Sequence, residues 1–138
     1  MKQFLQLFIF LFFINSSLSA VDFKDMQKIS LKKDEQKKIL VKYGKVEKLF
    51  KFSWTLYING GLVVFRSYDK IVSQNILYLR YKNNSFKFNL KPKGTDFQYA
   101  PYILVKFKEF NYDTNEAHFE LFVSDKKMQI LLEYLENG

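Results

Sequence analysis

His118 is the single histidine of this 138-residue chain, and there is no cysteine. Side-chain acid–base chemistry near neutral pH would therefore have to involve one imidazole. Glu120 lies two residues on, and in the alternating stretch Ala117 to Val123 that spacing puts both side chains on one face of a strand. A histidine–carboxylate pair can move protons, but the same alternation is ordinary surface structure on a strand. No serine sits in a G-x-S-x-G elbow and no glycine-rich phosphate loop is present. One histidine without cysteine falls short of the three or four close-spaced ligands zinc needs, and the carboxylates do not follow calcium-loop spacing. These absences predict a non-catalytic protein without metal or cofactor, and a hydrolase ranks third among the function classes considered.

Binding chemistry has more candidates. Trp54, the only tryptophan, is followed by Tyr57, Arg66, Tyr68, Arg80 and Tyr81 across the central hairpins. Aromatic faces beside guanidinium groups suit sugars, lipid head groups or a peptide partner. The competing reading puts Trp54 in the core with Phe52 and Leu56, and takes the tyrosines as ordinary strand formers. Asn83-Asn84-Ser85 also matches the N-x-S acceptor pattern on a predicted turn.

Charge supplies a second candidate surface. The formal net charge is +8, carried by 20 Lys and only 2 Arg. Phe, Ile, Asn, Lys and Tyr make up 63 of the 138 residues, a composition favoured by A/T-rich codons, so the basicity by itself says little. Its distribution says more. Residues 24–51 hold ten Lys against four acids, a net of +6, whereas residues 52–138 hold eleven basic and nine acidic groups, a net of +2. Lys32, Lys33, Lys37, Lys38, Lys42, Lys45 and Lys48 form the candidate anion-binding surface. An antiparallel pairing of residues 28–32 with 37–43 would bring Lys32 and Lys33 opposite Lys37 and Lys38. The alternative is a solvated lysine-rich face.

Location narrows the partners. Lys2, the apolar run Phe4 to Ile14 and the small residues from Asn15 to Ala20 have the layout of a secretory signal peptide. The apolar run is about half the ~20 residues of a membrane-spanning helix. Cleavage near Ala20 is expected, leaving one domain over residues 21–138 in the periplasm or outside the cell. With no Cys to acylate or cross-link, neither a lipoprotein nor a disulfide scaffold is expected. An envelope location disfavours nucleic acid as a partner and favours another envelope protein or an anionic lipid or lipopolysaccharide surface.

The elements positioning these residues show mostly a period of two. Residues 28–32, 37–43, 76–81, 86–90, 102–110 and 117–123 read as strands separated by turn residues. The stretch 46–68 reads as a hairpin turning at Asn59-Gly60-Gly61. Its first arm places Phe50, Phe52, Trp54, Leu56 and Ile58 on one face, and residues 68–75 read as a polar connection. Pro92, Gly94 and Pro101 bracket a loop. Residues 126–136 fit either a strand or a short C-terminal helix, with the hairpin rhythm tilting toward strand. The pattern predicts an all-β antiparallel sandwich or partly closed barrel of about eight strands. Its core is expected to centre on Phe50, Phe52, Trp54, Leu56, Val64, Leu79, Phe88, Val105, Phe119 and Leu121. The function that follows is an exported envelope protein binding a protein or ligand through a sheet face or edge. The alternative is a carrier or sensor of a lipid or other anionic envelope component, using a barrel interior.

Overall fold

The computed structural model describes residues 24–90, 100–125 and 129–136; the expected leader, Pro92 and Gly94 lie outside them. Among these residues nine strands follow one another: β1 (Lys24–Lys32), β2 (Lys37–Tyr43), β3 (Val46–Ile58), β4 (Gly61–Tyr68), β5 (Ile71–Tyr78), β6 (Ser85–Asn89), β7 (Tyr102–Asn111), β8 (Glu116–Ser124) and β9 (Ile130–Leu135). They form two antiparallel sheets, one ordered β1-β8-β7-β6 and the other β5-β4-β3-β2-β9. Among the described residues no helix occurs, and residues 130–135 are the strand β9 rather than a helix, because Ile130 to Leu135 pair with Tyr43 to Lys38 of β2.

Turn chemistry accounts for the hairpins. Asn59 and Gly60 have φ of 53° and 77°, the left-handed pair of a two-residue turn whose twist matches its strands. Asp69 and Lys70, at 49° and 67°, form a second such turn. That turn overrides the connection expected over 68–75: β5 begins at Ile71 and ends at Tyr78, and residues 79–84 are the turns. The signal was easy to miss, since Asp-Lys lacks the glycine that usually marks this geometry.

The interior is filled with rings. Phe50, Phe52 and Trp54 of β3 are fully buried. Phe52 meets Phe119 of the opposite sheet edge-on at 5.3 Å, and Phe50 meets Phe88 at 4.6 Å. Burying one such ring contributes roughly 1.5–3 kcal/mol, so these inter-sheet pairs are a main reason the two sheets hold together. Val64, Val105, Phe119 and Leu121 are buried as expected, while Leu79 and Phe88 are only partly buried at the margin.

Two expectations fail. Trp54 pairs with Val64 but Leu56 pairs with Val63, so Thr55 is an extra residue in a β-bulge. The bulge reverses the alternation. Leu56 and Ile58 turn outward, 47% and 57% exposed, and Tyr57 turns inward. The second failure is the β1–β2 hairpin. β1 pairs with β8 and β2 with β3 and β9, so residues 33–36 carry the chain from one sheet to the other. Trp54 anchors this crossing: its indole N–H donates to the Leu31 carbonyl at 2.7 Å, and the Asp34 amide donates to the Trp54 carbonyl at 2.8 Å.

Candidate ligand-binding cleft

β1 and β9 are end strands of different sheets, and they lie beside each other along one open side of the sandwich. Between them Met26, Gln27, Val123, Asp125, Ile130, Leu131, Leu132 and Tyr134 line a cleft of about 500 Å³. Past Tyr134 it continues into a second hollow of about 350 Å³, lined by residues 27–31, Glu35 and Lys37. The alternation of β9 turns Ile130, Leu132 and Tyr134 toward the core margin. Lys37 places its ammonium 5.5 Å from the centroid of the Tyr134 ring. An end strand leaves alternate backbone N–H and C=O groups without a ladder partner. The cleft therefore offers main-chain hydrogen-bonding groups beside the apolar side chains of Val123, Ile130 and Leu132 and the polar ones of Gln27 and Asp125, which suits an extended segment whose side chains alternate between apolar and polar. Its volume is also in the range of small-ligand sites.

The residues singled out for binding do not gather there. Trp54 is buried at the β1–β2 crossing. Tyr57 points inward and stacks on Phe110 at 4.1 Å. Burial, then a hydrogen bond with Tyr112, pushes its phenol pKa up to about 12, against a smaller lowering by Arg80. Arg66 points inward too, its guanidinium 4.8 Å from the Phe86 centroid, with Nη1 donating to the Lys87 carbonyl at 3.3 Å. Burial lowers its pKa. Tyr68 donates to the Leu90 carbonyl at 3.3 Å, and Tyr43 donates to the same oxygen. Burial raises the Tyr68 pKa strongly, with hydrogen bonding to Tyr43 adding to it. Arg80 and Tyr81 are exposed on the β5–β6 turns, where Tyr81 meets Tyr78 edge-on at 5.9 Å. Four of the six therefore serve the core, and these six residues make no common surface.

No known family, curated protein or solved structure matches the chain.

The seven lysines are dispersed. Lys32 ends β1 in one sheet, whereas Lys38 and Lys42 lie on β2 in the other, and Lys33 and Lys45 sit in separate turns. Among the described residues, two of the seven form ion pairs. Lys42 lies 2.8 Å from Glu133, and Lys48 lies 2.9 Å from Asp69 and 5.8 Å from the centroid of Tyr68. Each ion pair's hydrogen bond raises the lysine's pKa. The hairpin expected to set Lys32 and Lys33 opposite Lys37 and Lys38 does not form, since β1 pairs with β8 and β2 with β3 and β9.

His118 lies on the outer face of the four-stranded sheet. Its Nδ1 is 2.6 Å from the Ser30 hydroxyl, and Glu109 stands opposite it across β7. The row Ser30–His118–Glu109 crosses three strands; Ser30 is hidden from sequence because its register with β8 is long-range, and Glu109 because the bulge at Lys108 shifts it from the inward parity of Ile103, Val105 and Phe107 to the outer face. Glu120, on the same face two residues on, lies 3.3 Å from Lys108. The row sits in a shallow groove of about 330 Å³ with Lys28 and Lys108. Among the described residues no three metal-ligating side chains cluster, and no helix is long and apolar enough to cross a membrane.

Proposed function

We propose that this chain is an exported, non-catalytic binding domain of the cell envelope that takes an extended peptide segment of a partner protein into the cleft between β1 and β9. The observation carrying this reading is the meeting of two end strands from different sheets along a cleft whose lining mixes the apolar Val123, Ile130 and Leu132 with the polar Gln27 and Asp125. A segment laid there would hydrogen-bond to one end strand and bury alternate side chains against the core margin. The leader-like residues 1–20 support export. The exposure of Ser30 and the pairing of Glu120 with Lys108 favour a structural role for the His118 row.

The lipid or anion carrier has less support, since rings fill the space between the sheets and the hairpin that would have gathered the lysines does not form. The test is hydrogen exchange of the purified protein during titration with arrayed extended peptides of alternating apolar and polar residues. Protection confined to β1 and β9 amides, lost in Leu132→Asp, is expected. Protection centred on the Ser30–His118 face instead, or a lipid co-purifying in native mass spectrometry, would overturn this reading.

A further inference from the structure

β5 is an end strand of unusual composition. End strands are normally blunted by charge, proline or a bulge. Ile71-Val72-Ser73-Gln74-Asn75-Ile76-Leu77-Tyr78 carries neither charge nor proline, and its pairing with β4 runs without a register shift. Val72 is 71% exposed and Ile76 46%. The Asp69-Lys70 turn also settles which backbone groups are free. A two-residue turn of this kind is closed by a hydrogen-bonded pair, here Tyr68 with Ile71. Alternation then directs the amides and carbonyls of Ser73, Asn75 and Leu77 to β4, and those of Val72, Gln74 and Ile76 to the open side. The Tyr78 amide, of the same parity, indeed points away from β4 and donates to the Asn83 carbonyl at 3.2 Å.

We propose that a second copy of this chain pairs with β5, antiparallel about a two-fold axis at Gln74. That axis sets Gln74 against Gln74, Val72 against Ile76, Ser73 against Asn75 and Ile71 against Leu77. Each residue thus meets its own kind, amide with amide, aliphatic with aliphatic, polar with polar. The Asn75 side-chain oxygen is buried and has no hydrogen-bond partner; the Ser73 hydroxyl of the second copy would stand opposite it to donate. Charge agrees: the chain is strongly basic and should repel itself, yet this seam has no charge to repel, and Lys70 would lie against the neutral Tyr78. Eight residues of edge span only about 26 Å, and such a seam buries well under the ~1,600 Å² of a standard stable interface, so the dimer is weak and concentration-dependent. It uses the opposite side of the sandwich from the β1–β9 cleft and stands independently of the peptide-binding proposal.

The absence of cysteine makes the test clean. Single-cysteine variants of the full chain, Gln74→Cys, Val72→Cys and Ile76→Cys, are oxidised gently and separated without reductant. Two facing residues of a hydrogen-bonded pair lie about 5.5 Å apart at Cα, within disulfide range. Gln74→Cys should double in mass by itself. Val72→Cys and Ile76→Cys should do so only when mixed, and Val72→Lys, placed at an exposed position, should abolish Gln74→Cys cross-linking while leaving the circular dichroism unchanged. Sedimentation of the unmodified chain should show a mass that rises with concentration. A monomer at every concentration, or equal cross-linking of all three single variants, would overturn the proposal.

Discussion

Tyr57 and Phe110 stack at 4.1 Å, and each reaches the interior only because its strand carries a bulge. Thr55 is the extra residue in β3 and Lys108 the extra residue in β7, so the alternation slips by one in both sheets at the same level. Without either slip one of the two rings would face solvent. Leu56→Lys is therefore expected to change stability by within about 0.5 kcal/mol, as an exposed position should. Tyr57→Ala should cost roughly 3 kcal/mol, the low end for truncating a large aromatic. Urea denaturation of the two variants measures both, and the opposite ranking would mean that the bulge is absent.

Trp54 makes a different kind of link, between β3 and the crossing from β1 to β2. Trp54→Phe keeps most of the ring volume but leaves the buried Leu31 carbonyl without its indole donor, a loss of about 1–3 kcal/mol. Trp54→Ala adds the cavity and should lose roughly 3–5 kcal/mol. As the single tryptophan, Trp54 also reports on its own burial: emission should be blue-shifted in the native protein and move red on unfolding.

Alkaline pH should unfold the protein through its inward tyrosines. Burial raises the Tyr57 pKa to about 12, and raises the Tyr68 pKa as well. The folded state thus keeps protons that the unfolded chain releases near pH 10. Stability then falls as pH rises, because the unfolded state binds fewer protons. The contribution of Tyr57 is whole below about pH 10 and is lost as pH climbs through about 12. Phenolate absorbance should show Tyr57 and Tyr68 titrating late in the native protein and ordinarily in urea. Ordinary titration of Tyr57 and Tyr68 in the native protein, identified by Tyr57→Phe and Tyr68→Phe difference spectra, would contradict their inward placement.

Gly61 is closely overlaid by its cross-strand neighbour. A Cβ there would fall 2.9 Å from Tyr78 Cε1 and 3.3 Å from Ile76 Cγ2. Gly61→Ala is expected to destabilise by about 1–3 kcal/mol through overpacking. In Tyr78→Ala the same change should be much milder, and a double-mutant cycle should show the coupling. Additive effects would place the ring elsewhere.

Much of the fold was legible in short-range pattern. Period-two alternation in β2, β6, β7 and β8 and the Asn59-Gly60 turn point to antiparallel β-structure, because side-chain direction and turn geometry are decided within a few residues. What those patterns leave open is set by contacts between distant residues. Nothing near Lys32 says that β1 pairs with β8 rather than β2; that follows from packing Ile29 and Leu31 into the other sheet and from the Trp54 bond to Leu31. Nothing near Leu56 announces a bulge, since its signature is register against β4. The binding candidates suffered most. Residue type marked Trp54, Tyr57, Arg66 and Tyr68 as capable of recognition, but only the tertiary structure turned them inward. The β1–β9 cleft joins segments about a hundred residues apart in sequence, so no local signal could have placed it. An open site on a sandwich is made where its sheets fail to meet, and the order of strands across the sheets decides where that is.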